Sequence, residues 1–289
     1  MGKYYSLKIS LLILFFVVSF NIWAQTDSLS GLQKEIFLHP ADGFTAYTLK
    51  KNELIYNQSP FTLPFPSWAW WGISNNITSE IDLLPLIGGF FQKPYLPVLS
   101  FNFRVHVLDQ KSILPAMAIE TMYQHLWHWT KQSDQPQANV LRKGNSGFLH
   151  SNFSWLIKSK FYLHFSTGVT YTQNLKLINY RKIPVLSRDF NHLLSPDVSL
   201  SFDFRWKPWI SLNMTMSYGT TFVYLDNIPR KQQLAYGFRV APFYKSRKSF
   251  FKTFRAEFIG YNIFLPDIKA HIQSLIPVFP YFYWQWNIN

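Results

Sequence analysis

Hydrophobic and polar side chains alternate strictly over residues 197–206, which read DVSLSFDFRW. One side of an extended chain would carry only apolar residues, namely Val198, Leu200, Phe202, Phe204 and Trp206. The other side would carry only polar or charged residues. Successive side chains of a β-strand point to opposite faces, so the segment predicts a strand with one apolar and one polar face. A soluble sandwich could also use one such strand.

The same alternation recurs along most of the chain, which favours one large β domain over a helical fold. About twelve segments of strand length carry it, and ten or fourteen remain open because the first two segments are weakly marked. The predicted strands are 53–63, 67–73, 77–84, 99–107, 113–123, 147–157, 161–172, 197–206, 210–218, 235–243, 251–261 and 277–288.

Two tight connections allow the register of neighbouring strands to be predicted. A three-residue loop at 158–160 would place Ser154 opposite His164 on the same face. A three-residue loop at 207–209 would keep Trp206 opposite Ile210. A two-residue loop at the second position would instead put Arg205 beside Ile210, on the wrong face of the sheet.

The connections alternate in length along the chain. Short ones are predicted near Asn75, Asp109, Ser159, Pro208 and Arg247, whereas the stretches 130–146 and 175–192 are longer and polar. Short turns at one end, longer loops at the other and an even number of strands are typical of transmembrane barrels.

The composition changes the interpretation of these strands. Aromatic residues make up 19% of the 289 residues and charged residues only 15%, against about 25% charged in an average soluble domain. The mean hydropathy is nevertheless −0.04, too low for a helical membrane protein. Alternating lipid-facing and lumen-facing residues account for both values. The chain has no cysteine, which excludes disulfides and thiolate metal sites.

The amino terminus is typical of an export signal. Lys3 and Lys8 precede or flank an apolar core at 9–20, and Ala24 precedes a plausible cleavage site. That core is short for a transmembrane helix, which needs about 20 residues, although an uncleaved anchor is the alternative. The predicted organisation is a signal peptide at 1–24, a periplasmic lead-in at 25–43 and the barrel at 44–289. A small plug or docking segment is the alternative for the lead-in.

The closing segment YFYWQWNIN alternates Phe282, Trp284, Trp286 and Ile288. With the export signal, the repeated strands and the turn asymmetry, it makes the mature chain resemble Gram-negative outer-membrane β-barrel proteins. The final strand is similar to the aromatic signal that barrel-assembly machinery reads, but it ends in Asn289 rather than Phe. The resemblance implies an all-β, transmembrane, antiparallel up-and-down barrel in the outer membrane. It also implies contact with outer-membrane lipids, lipopolysaccharide and the assembly machinery.

The polar faces of the predicted strands carry a set of charges that would line the lumen. A structural network is one hypothesis, because isolated buried charges are very unfavourable. The other is a constriction that selects small charged solutes. The function predicted is accordingly a small passive, porin-like channel or a structural, assembly-associated barrel. The residues are Glu80, Asp82, Arg104, Glu120, Asp203, Arg205, Arg239, Arg255 and Glu257.

Tryptophans cluster near the predicted strand ends, as in the aromatic girdles at bilayer interfaces. The girdle is predicted to comprise Trp68, Trp70, Trp127, Trp129, Trp206, Trp209, Trp284 and Trp286. The net charge of +13 lies largely in turns and loops. Attraction to anionic lipid and lipopolysaccharide explains it without nucleic acid, for which no motif is present. No cofactor or metal site is predicted.

One cluster suggests an enzyme as the alternative function. His150, Asn152 and Ser154 share one strand face, and Ser154 would lie opposite His164. Some outer-membrane barrels hydrolyse lipids with a serine, a histidine and a third polar or acidic group. Against this, lipid acyl chains lie outside a barrel, whereas this face is predicted to point inward. No carboxylate is placed to orient His164.

Overall fold

The computed structural model describes residues 31–58, 68–82, 100–126, 144–172, 175–176, 189–190, 193–219, 231–265, 270–273, 277 and 279–288. Within these ranges the chain is almost entirely β-strand. No helix in this part of the chain is both long enough and apolar enough to span a membrane.

The strands in the described ranges are labelled in chain order. They are β1 (Glu53–Gln58), β2 (Trp68–Ser74), β3 (Ile77–Asp82), β4 (Ser100–Leu108), β5 (Ala116–Leu126), β6 (Gly144–Ile157), β7 (Phe161–Thr172), β8 (Leu175–Lys176), β9 (Asp189–Phe190), β10 (Leu193–Lys207), β11 (Ile210–Gly219), β12 (Lys231–Val240), β13 (Phe254–Leu265), β14 (Ala270–Gln273) and β15 (Phe279–Asn287).

Twelve of these strands form a closed antiparallel up-and-down barrel, as the sequence predicts. Each strand pairs with its neighbour in the ring, and β1 pairs with β15 to close it. β14 pairs with β13, and β8 pairs with β9 in a separate two-stranded sheet. Closure leaves none of the ring strands with an unpaired edge, which is how up-and-down barrels satisfy their backbone groups.

Burial alternates along the strands as the polarity does. On β10 the apolar side chains point outward: Val198 and Trp206 are exposed, and Leu200 is half-buried. Asp203 and Arg205 are buried inside the barrel. The polar face is therefore the inner one and the apolar face the outer one.

The register between β6 and β7 is the predicted one, with Ser154 opposite His164 and Ile157 opposite Phe161. Between β10 and β11, Phe204 lies opposite Leu212, again as predicted. The turn itself differs, because Lys207 rather than Trp206 is paired with Ile210. A β-bulge between Phe204 and Lys207 supplies the extra residue, so the turn tightens without moving the upstream side chains to the wrong face.

The connection between β12 and β13 was predicted to be short, but it runs from 241 to 253. β12 ends at Val240 and a short helix forms at Ser249–Lys252. Pro242 has no backbone N–H to donate to a ladder, which explains why pairing stops before it. We call the end of the barrel that holds connections 75–76, 109–115, 158–160, 208–209 and 241–253 the turn end.

Residues 31–49, the lumen segment, lie inside the barrel. Leu32 N donates to the Pro208 carbonyl at 2.9 Å, so the segment enters at the turn end. Its Phe44 ring reaches Phe148, with 5.7 Å between the ring centroids. The segment then returns, and Thr48 Oγ1 donates to the Asn75 carbonyl at 2.9 Å, again at the turn end.

The described part of the predicted lead-in 25–43, residues 31–43, thus lies inside the barrel. The segment makes two short 3₁₀ turns, Gly31–Lys34 and Pro40–Asp42, so it carries no strand-like alternation. Nothing in its pattern distinguishes a plug from an external linker. Gly43, close to the innermost bend, is required for close approach, because a Cβ there would come within 1.9 Å of Ser201 Oγ.

Candidate functional site in the barrel lumen

The charges predicted to line the lumen are almost all inside the barrel. Eight of the nine side chains are buried there, and the side chain of Asp82 lies outside the described residues. Arg104 pairs with Glu120, Arg205 with Asp203 and Arg239 with Glu257, each at 2.9 Å. Arg255 pairs with Glu35 of the lumen segment. All four arginines therefore have a carboxylate partner, which favours the structural network over an ion-selective constriction.

Glu120 is the centre of one part of this network. Its carboxylate accepts from Arg104 Nε at 2.9 Å, and from the side-chain amides of Asn102 and Asn152 at 2.6 Å each. Its side chain has no solvent exposure (0%). Ser166 Oγ donates to the amide oxygen of Asn152 at 2.6 Å, so Asn152 holds Glu120 rather than assisting a nucleophile.

Glu257 is the centre of a second part. Its Oε1 accepts from Ala41 N at 3.2 Å and from Asn213 Nδ2 at 2.9 Å. Its Oε2 accepts from Arg239 Nη2 at 2.9 Å and from the Tyr283 hydroxyl at 2.8 Å. One buried carboxylate thereby joins β11, β12, β13 and β15 to the lumen segment.

The wall arginines also bind the lumen segment through its backbone carbonyls. Arg104 Nη1 donates to the carbonyls of Leu38 and Tyr47 at 3.3 and 3.2 Å. The Arg205 guanidinium lies 4.3 Å from the Phe37 ring centroid and donates to the Gln33 carbonyl at 3.4 Å. Irregular backbone needs hydrogen-bond partners once it is buried, and these arginines supply them.

The lumen segment contributes apolar packing and a neutral phenol as well. Leu32, Phe37 and Ala241 form one buried cluster, whereas Phe44 packs with residues of β5 and β6. The Tyr47 ring packs edge-on against His164, with 6.0 Å between centroids. Burial, with a smaller contribution from Tyr162, raises the pKa of the Tyr47 phenol, so Tyr47 stays protonated.

Ser154 and His164 do come together as the sequence predicts. Ser154 Oγ lies 2.8 Å from His164 Nδ1, but it also accepts a 2.8 Å hydrogen bond from Ala46 N of the lumen segment. Both side chains are buried, and His164 Nε2 has no hydrogen-bond partner among the described residues. No carboxylate among the described residues therefore orients the pair, and the lumen segment covers the serine oxygen.

His150 does not belong to that pair. It lies four positions from Ser154 along β6, which is about 13 Å. Its Nε2 lies 2.9 Å from Asp197 Oδ2, to which Thr170 Oγ1 also donates. The Phe148 ring stacks on its imidazole at 4.1 Å. His150 thus links β6 to β10 through its contact with Asp197.

The sequence did not predict the cluster formed by His39, Glu80 and Glu120. One potential ligand atom from each lies within 4.8 Å of the others. Arg104 Nη2, however, is 3.2 Å from His39 Nε2 and 3.1 Å from Glu120 Oε1. A guanidinium already supplies the cation at this cluster, so the geometry does not favour a metal ion there. His39 was missed because the lumen segment has no regular pattern.

The prediction that Trp68 and Trp70 belong to an outward-facing girdle is wrong. Trp68 and Trp70 are only 7% and 5% exposed and pack inside the barrel against Leu38 and Leu49. Both faces of β2 are apolar, so polarity could not identify its inner face. By contrast Trp206 and Trp209 are 52% and 47% exposed.

The remaining girdle residues divide into two groups. Trp284 and Trp286 contact the Tyr56 ring at 5.9 and 6.3 Å, and both are half-buried. Trp127 and Trp129 lie outside the described residues.

A cavity of about 30 Å³ lies between the lumen segment and the wall, next to Glu35, His39 and Arg255. It has room for water but not for a solute.

A comparison with protein-family models and with curated proteins gives no match for this chain.

Proposed function

We propose that this protein is an integral β-barrel of a bacterial outer membrane whose lumen is closed at rest by its own amino-terminal segment. Its role is structural or associated with envelope assembly, not that of an open pore. The observation that carries the proposal is the buried lumen segment, which is bound by wall side chains on several sides. Glu257, Arg104 and Ser154 bind it from different strands.

The outer face supports a membrane environment. Exposed aliphatic side chains occur on strand after strand around the ring, whereas the polar side chains of the same strands are buried. A barrel in water would require polar side chains on its outer face. The outward residues include Ile81, Val105, Ile119, Val169, Val198, Leu212 and Met216.

A channel that opens when the lumen segment withdraws is the second candidate. The segment enters and leaves by the turn end, so it could be withdrawn without passing through the barrel. Withdrawal would leave a lumen lined by Arg104, Glu120, Arg239 and Glu257. This candidate differs from a permanently open passive channel in that residues 31–49 occupy the lumen at rest.

The lipid-hydrolase alternative has little support from the geometry. Ser154 and His164 are within hydrogen-bond distance, but Ala46 N occupies the serine oxygen and the pair faces away from the lipid-facing surface. Any lipase or deacylase activity of the folded protein that Ser154→Ala abolishes would restore this alternative.

Membrane insertion and closure are tested separately. Unboiled, folded protein should migrate differently from boiled protein on a denaturing gel, and its reconstitution into a planar bilayer should give no conductance. A steady conductance from the unmodified protein would contradict the closed lumen. Identical migration before and after boiling would contradict the membrane barrel.

A cysteine pair tests where the lumen segment lies. Because the chain has no native cysteine, Ala46→Cys with Ser154→Cys should form a single disulfide on oxidation. Ala46→Cys with Phe153→Cys is the matched control, because Phe153 is the next residue on β6 and points outward; it should not crosslink. Openings seen only when the first pair is reduced would favour the gated channel over a structural role.

A further inference from the structure

An aromatic surface covers the outside of the barrel at the turn end, where β13 and β15 meet the 241–253 connection. Phe250 lies 5.5 Å from Phe251 and 5.6 Å from Trp284 between ring centroids. Phe243 is 5.7 Å from Phe251, and Phe254 is 5.2 Å from Trp284. The surface is continuous with the apolar outer face of β13 and β15.

The loop part of this surface is strongly exposed. Phe243, Phe250 and Phe251 are 47%, 54% and 43% exposed. Large apolar patches of this kind mark an interaction site on a protein surface. The short helix Ser249–Lys252 presents two of the three rings.

Four cations lie in the same connection and no acid does. Lys245, Arg247, Lys248 and Lys252 are all exposed, and none forms an ion pair with another described residue. Lys245 Nζ lies 5.6 Å from the Tyr244 ring centroid, a cation–π contact that does not neutralise its charge.

The rest of the turn end has the same sign of charge. Lysines lie in or next to its other connections and just before β1, whereas the acids there are Glu53, the exposed Asp109 and Glu35, which is paired with Arg255. The lysines are Lys50, Lys51, Lys111, Lys158, Lys160 and Lys207. The 241–253 connection differs from the other connections of this end in combining its cations with exposed phenylalanines.

We propose that the 241–253 connection binds the phosphate headgroups of anionic phospholipids, with Phe250 and Phe251 at the boundary of the acyl chains. The proposal rests on the membrane-barrel function above. Aromatic rings favour the membrane–water interface, and lysines or arginines beside it attract anionic lipids. The positive charge favours an anionic lipid over a protein partner, because protein interfaces are depleted in lysine. The headgroups of anionic phospholipids are phosphate esters with a net negative charge.

The test uses the folded full chain reconstituted in phosphatidylcholine vesicles. Brominated phosphatidylglycerol or brominated phosphatidylcholine is added, and quenching of tryptophan fluorescence measures relative binding. We expect a preference for phosphatidylglycerol, with about a fivefold contribution from each cation at low salt. The preference should fall as salt screens the charges.

Three variants locate the effect. Replacing the four cations of the connection with glutamine should abolish most of the preference, whereas Lys245→Arg with Lys248→Arg and Lys252→Arg should keep it. The matched control removes four charges from the connections between β5 and β6 and between β7 and β10. It carries Arg142→Gln, Lys143→Gln, Arg181→Gln and Lys182→Gln, and it should keep the preference.

Several outcomes would overturn the proposal. Equal quenching by the two lipids in the unmodified protein is one, and a preference retained by the four-glutamine variant is another. A preference lost equally in the matched control would assign it to the overall charge. If the four-glutamine variant does not fold, a salt-independent preference in the unmodified protein overturns the proposal. No quenching by either lipid would instead refute the membrane-barrel function.

Discussion

Replacing Glu257 with glutamine discriminates a closed lumen from a water-filled one. In the structure this carboxylate has no exposure (0%). It accepts from Ala41 N, Asn213 Nδ2, Arg239 Nη2 and Tyr283 OH at distances between 2.8 and 3.2 Å. A glutamine side chain has one acceptor oxygen in place of two, so its NH₂ group would face two of the four donors.

The expected loss follows from these contacts. Removing one partner of a buried ion pair leaves the other charge uncompensated, which destabilises by about 3–5 kcal/mol. In a hydrated lumen water would solvate Arg239, and the same change would cost only about 0–1 kcal/mol, as for exposed pairs. The free energy of unfolding of Glu257→Gln therefore reports whether the lumen segment excludes water.

Urea unfolding of the full chain folded in detergent, followed by tryptophan fluorescence, measures this free energy. Asp109→Asn is the matched control, because Asp109 forms an exposed pair with His106 at the turn end, and it should change stability by less than about 1 kcal/mol. Adding Arg239→Met to Glu257→Gln should recover part of the loss, because no unpaired charge then remains. A loss below about 1 kcal/mol in Glu257→Gln would refute the closed lumen.

Three further substitutions examine the lumen segment and the outer face by urea unfolding, in detergent for the first and third and in lipid vesicles for Leu200→Arg. Gly43→Ala should destabilise by about 1–3 kcal/mol, because the new Cβ would overlap Ser201 Oγ; an unchanged midpoint would mean that the segment is not held at this depth. Leu200→Arg should destabilise by about 2–4 kcal/mol in vesicles if it faces the bilayer centre, and an effect near zero would place it in water. Ser154→Ala should destabilise by about 1–3 kcal/mol, because Ala46 N then loses its buried acceptor; full stability would argue against that contact.

The strand pattern could be predicted from the sequence because alternation is a local property with a period of two. It predicted the ring of strands, the inner position of Asp203 and Arg205, and the opposition of Ser154 and His164. It placed Arg104 and Glu120 on the inner face, where the structure joins them directly. It failed at Trp68 and Trp70, since β2 is apolar on both faces and only the lumen segment identifies its inner side.

The position of the lumen segment could not be predicted from the strand pattern. Its contacts join residues far apart in the chain: Ala46 and Ser154 are separated by 108 positions, and Ala41 and Glu257 by 216. A segment without periodicity carries no local signal for such partners. The sequence by itself determined the barrel and the polarity of its two faces, because the pleat repeats every two residues. Only the tertiary structure placed residues 31–49 in the lumen, because folding alone brings them to the wall side chains that bind them.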